Sequence, residues 1–61
     1  MFEKYDDIVD VATVCKMLKI GKTSCYELIK TNKIKSFKIK NKILIAKIGV
    51  INFVEKERKI S

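Results

Sequence analysis

The apolar residues of this chain change their period once, after Lys33. Before that point they recur at helical spacing, as Val11, Val14, Cys15 and Leu18 and then as Cys25, Leu28 and Ile29. Beyond it they alternate: Phe37 and Ile39 with Lys38 and Lys40, then Ile43 and Ile45 about Leu44. Steps of three and four line one side of a helix, whereas steps of two line one face of a strand. The pattern predicts two helices, then a β-hairpin with one face on the core. Ile48, Val50, Ile51, Phe53 and Val54 predict a last helix to about Lys56. With 61 residues and no proline or linker, there is room for one core and one domain, 1–61. Its ends, 1–7 and 57–61, read as flexible.

Local signals set the boundaries. Asp10 is placed to cap a helix starting at Val11, with Val9 and Val14 at the positions of a hydrophobic staple. Lys19–Ile20–Gly21 breaks the pattern, and Gly21 caps the next helix from Lys22. Asn32 suits a left-handed helix end, and the hairpin turn falls near Lys40–Lys42. Two helices joined by about three residues make a helix-turn-helix. The fold class is therefore α+β, a winged helix-turn-helix in the order helix–helix–β-hairpin–helix.

Charge narrows the function. Residues 1–10 hold Lys4 against Glu3, Asp6, Asp7 and Asp10, whereas residues 16–47 hold ten lysines against Glu27 alone. An acidic lead thus precedes a strongly basic body whose natural partner is a polyanion. There is no His, nor a nucleophile–base pair, metal cluster or phosphate loop, so the chain reads as a non-enzyme without cofactor, metal or small-molecule substrate. Cys15 and Cys25 stand ten apart, a spacing for reduced core side chains rather than a zinc site. No apolar stretch approaches a membrane span and no signal-peptide pattern opens the chain, which reads as cytoplasmic, with no membrane partner.

The run IVDVATVCKMLKIGKTSCYELIKTNKIKSFKIKNKILIAKIGVINFV, residues 8–54, resembles small excisionase-type winged-helix domains, related to the DNA-binding domains of the mercury-resistance regulator family. In this resemblance Cys15 takes the small-residue position where the two helices meet, and Leu18 and Ile20 flank the turn. Leu28 and Ile29 match the core face of the recognition helix, and Phe37, Ile39 and Ile45 match the hairpin core. Lys19 and Gly21 depart from the family's usual Gly and Ser or Thr, and Leu44 stands where a basic wing residue is common. The resemblance implies a bacterial, nucleoid-associated protein. Several copies would line up on a recombination site, bend it, and help a tyrosine integrase to excise a mobile element.

Helix-turn-helix proteins lay their second helix in the major groove. That docking assigns groove contacts to Lys22, Thr23 and Tyr26, with Glu27 and Lys30 beside them, Glu27 accepting from cytosine N4 or pairing with Lys30. Lys38, Lys40, Asn41 and Lys42 form the wing, and Lys33 and Lys35 lie near the DNA backbone. Ile48 and Phe53 are candidate apolar contacts between neighbouring copies. Two other readings stay open: a small transcriptional regulator of a phage, plasmid or transposon operon, and a protein-interaction adaptor or inhibitor. The last predicts weak duplex binding that does not respond to changes at Lys22, Thr23 and Tyr26.

Overall fold

Asp10 ends one element and starts the next. In the computed structural model, which describes residues 1–60, Ile8–Asp10 is a short strand, β1, and Val11–Leu18 is the first helix, α1. The Asp10 carboxylate accepts from the Thr13 N–H at 2.9 Å, so the expected cap is formed. That hydrogen bond, with the Lys42 charge as a smaller contribution, holds the Asp10 carboxyl below its usual range. A depressed carboxyl stabilises the fold above its ordinary value of 3.8, and the gain is lost as pH falls through the lower folded value. Asp10→Ala is therefore expected to cost about 1 kcal/mol at neutral pH. In urea melts the gap between variant and parent should close in strong acid.

The break between helices is tight. Lys19 closes α1 in the left-handed region, at φ 57°, although it carries a Cβ. Helix α2 runs Lys22–Lys30, and Gly21 at its start gives no side-chain cap. Its end turns back on itself: Asn32 takes φ 61°, and the Leu28 carbonyl accepts from both Lys33 N at 2.9 Å and Ile34 N at 3.2 Å. This turn seals Ile34 in the core and leaves Lys33 outside.

Strands β2 (Phe37–Ile39) and β3 (Lys42–Ala46) form the hairpin, and β3 also pairs with β1, giving an antiparallel sheet of order β1-β3-β2. Strand β1 is an addition to the order expected from periodicity, since three residues are too few to show a period. Helix α3, Lys47–Ile60, follows β3 directly and extends past the expected end near Lys56. Ser61, at the end of the tail read as flexible, lies outside the described residues. The acidic lead is held to the start of α3. Lys47 N donates to the Asp7 carbonyl at 2.7 Å, and Lys47 Nζ donates to the Tyr5 carbonyl at 3.1 Å.

The core draws on nearly every element: Val9, Val11, Val14, Met17, Cys25, Ile34, Ile45 and Val50. Met17 is buried, whereas Cys15 and Leu18 of the expected stripe are only half-buried. Helix α1 packs against α2 on one side and the sheet on the other, so its buried surface is wider than a single stripe. Burial, and then the neighbouring Cys15, push the Cys25 thiol up to about 11, so it stays protonated and fills space.

One expectation fails in the hairpin. Phe37 and Ile39 were placed in the core by their alternation, yet they are 41% and 54% exposed. The loop is Lys40–Asn41 alone, both at positive φ, and it pairs Ile39 with Lys42 and Phe37 with Leu44. Directly opposed residues share a face, so Phe37 and Ile39 go with Leu44 to the outer side and Ile45 goes inward. A three-residue turn would have paired Ile39 with Ile43 and turned β2 the other way; one residue of loop flips a whole strand.

Candidate nucleic-acid interface

The sorting of α2 into two sides begins with Cys25. It is fully buried, with Leu28 and Ile29 half-buried beside it. At 3.6 residues per turn this orientation turns Lys22, Thr23, Tyr26, Glu27 and Lys30 outward, and all five are exposed. Tyr26 is nearly half exposed, so its ring is not a core ring. The first turn of α2 holds no acid, and its N–H groups have no side-chain acceptor at Gly21. The N-terminal end of α2 thus keeps its full positive character.

The hairpin turn lies beside that end. Lys22 and Tyr26 line one shallow hollow together with Asn41, Lys42 and Ile43 of the hairpin and Asp10, Val11 and Ala12 at the start of α1. Four of the eleven expected contact residues are thereby brought to one concave surface. Thr23, Glu27 and Lys30 stand on α2 outside this hollow, and Lys38 and Lys40 are exposed on the hairpin. Lys33 and Lys35 fall elsewhere, in a second hollow formed with Asn32, Asn52, Phe53 and Lys56 of the α2 end and α3.

The residue that sequence reasoning did not assign to this surface is Asp10. Read only as a cap, its carboxylate also lies in the first hollow and feels the Lys42 charge. The signal was its position: a cap at the start of α1 sits where the β1–α1 junction meets the hairpin in this sheet order. Lys56 and Asn52 were likewise unassigned: they fall within the expected last helix, to which no contact with DNA was given.

Two smaller expectations change. Glu27 and Lys30 form no ion pair among the described residues, so Glu27 is an exposed carboxylate on the same side as Tyr26. Phe53, proposed with Ile48 as a contact between copies, is half-buried against the core, whereas Ile48 is 61% exposed. No helix of the described residues is long and apolar enough to cross a membrane.

A family described as helix-turn-helix domain matches this sequence over residues 8–58, from β1 through most of α3. No curated protein and no solved structure matches the chain.

Proposed function

The chain belongs to the helix-turn-helix domain family, which includes excisionase-like domains, and from this premise we propose a sequence-preferring duplex-DNA-binding protein that assists excision of a mobile element. It acts as one DNA-binding unit, laying the exposed side of α2 in the major groove with the hairpin turn on the flanking backbone. The observation that carries the proposal is the hollow shared by Lys22, Tyr26, Asn41 and Lys42. A helix about 10–12 Å across fits a major groove about 12 Å wide. The turn then meets phosphates on the groove's edge.

Each residue has a role that its chemistry allows. Lys22 donates to guanine O6 or N7, or to a phosphate, and the uncapped N–H groups at the start of α2 add a phosphate contact. Thr23 bonds a base edge or touches a thymine methyl, and the Tyr26 hydroxyl reaches a base or phosphate. Glu27, with no ion-pair partner within this chain's described residues, accepts from cytosine N4. Lys30, Lys38, Lys40 and Lys42 meet phosphates, and Lys33 and Lys35 extend the basic track toward α3. A domain of this size reads few base pairs. Neighbouring copies on adjacent sites and a tyrosine integrase supply the remaining specificity.

Gel-shift titration on the ends of the mobile element, with and without integrase, tests this function. Thr23→Ala with Tyr26→Ala should reduce discrimination between specific and random duplex by roughly 10- to 100-fold, as expected for one or two lost base contacts. An unchanged preference would show that the groove assignment is wrong. Footprints then separate the two biological settings: an array beside an attachment site supports excision, and an operator across a promoter supports regulation.

A further inference from the structure

The outer side of the sheet leaves three large apolar side chains exposed around a fourth, Leu44, that is only partly covered. Ile8, Phe37 and Ile39 are each more than 40% exposed, and Leu44, between the two edge strands, is half-exposed. The pairing Ile8–Ala46, Asp10–Leu44, Phe37–Leu44 and Ile39–Lys42 puts these residues on one continuous face. Single exposed apolar residues, such as Ile48 on α3, are ordinary, but a contiguous group on one sheet face marks a contact surface.

We infer that this face docks a second copy of the chain, sheet against sheet, about a two-fold axis running diagonally through Leu44. The register itself supplies the complementarity. Leu44 is the centre of the face: Asp10 and Phe37 flank it across the sheet, and Lys42 and Ala46 flank it along β3. Ile8 and Ile39 occupy two opposite corners. A diagonal two-fold exchanges the across-sheet direction of one copy with the along-strand direction of the other. Leu44 then meets the second copy's Leu44, Phe37 meets its Ala46, and Ile8 meets its Ile39. Asp10 meets its Lys42.

Each of these pairs is chemically sensible. The large Phe37 lies over the small Ala46, two branched apolar residues meet at each corner, and Asp10 and Lys42 fall on opposite charges, while Lys4, Asp6 and Lys16 stand around the β1 side of the face. The strands of the two sheets cross near a right angle, one of the two ways in which sheets pack. Neighbours stand about 5 Å apart across strands and about 7 Å apart along them, a mismatch that Phe, Leu, Ile and Lys side chains span. The contact is isologous and closes at two copies. It is made in the free protein and goes beyond the DNA-binding proposal, whose hollow shares Asp10 and Lys42 with this face but contains neither Leu44 nor Phe37, so a bound duplex and the second copy compete for Lys42.

The formal charge of +7 opposes this pairing at long range. Added salt screens that repulsion while leaving apolar burial in place, so pairing strengthens as DNA binding weakens. Sedimentation of the free chain from micromolar to millimolar concentration should approach twice the chain mass, more closely at about 0.5 M than at about 0.05 M salt. Leu44→Ser or Phe37→Ser should each weaken pairing about tenfold, as expected for one lost apolar contact, without lowering affinity for a short duplex. Under a mild oxidant Leu44→Cys should cross-link two chains, since a residue on a two-fold axis faces itself, whereas Ile48→Cys should not. A monomer at every concentration and salt overturns the inference, and so does cross-linking through Ile48→Cys instead of Leu44→Cys. Neither result bears on duplex binding.

Discussion

Raising salt from about 50 to about 200 mM is expected to lower duplex affinity by about 10³- to 10⁴-fold. Each phosphate neutralised by a lysine releases condensed counterions, so log K falls with log salt at about −0.9 per contact. Six to eight lysines in contact give a slope of about −5 to −7. The exposed lysines of α2, the α2–β2 connection and the hairpin are numerous enough for this: Lys22, Lys30, Lys33, Lys35, Lys38, Lys40 and Lys42. Lys40→Ala with Lys42→Ala should flatten the slope by about 2 and weaken specific and random duplex together, because phosphate contacts carry no sequence information. Fluorescence anisotropy across a salt series measures both. A slope near zero would mean that the basic surface meets something other than a nucleic acid.

The second large effect lies in the core. Ile45→Ala should cost about 2–5 kcal/mol, because Ile45 is fully buried and pairs with Val9 across the sheet. A domain of this size has roughly 3–9 kcal/mol of stability in all, so the substitution is expected to leave much of the chain unfolded. Ile48→Ala, at a site 61% exposed, should change stability by no more than about 0.5 kcal/mol. Thermal melts followed by circular dichroism separate the two variants. Similar small losses at both positions would contradict the placement of β3 over the core.

The helical half of the fold was legible because its signals are local. Asp10 caps within three residues, and Cys25, Leu28 and Ile29 share a side at the spacing that any helix imposes. The orientation of α2, and with it the outward side carrying Lys22, Thr23 and Tyr26, follows from that spacing alone. The hairpin was legible in position but not in orientation. Phe37 and Ile39 alternate equally well on either face, and the choice between faces is made by a loop of two residues rather than three. Positive φ at Lys40 and Asn41 makes the two-residue turn, and Lys-Asn is a weak signal for it compared with Asn-Gly. Strand β1 was not legible, since its pairing with β3 spans more than thirty residues and leaves no local period. The hollow that joins α2 to the hairpin depends on that pairing, because β1 is what brings Asp10 and Ala12 beside Asn41 and Lys42. The exposure of the α2 side could thus be read from sequence, whereas the division of the lysines between two hollows could not.

Everything functional depends on α2 and the hairpin turn meeting one duplex at the same time. Backbone amide shifts, followed by NMR while a cognate duplex is added, observe that directly. Lys22, Thr23, Tyr26, Asn41 and Lys42 should move together and saturate at one equivalent, while Ile48 on α3 stays still. Movement centred on α3, with the exposed side of α2 unchanged, would contradict the account.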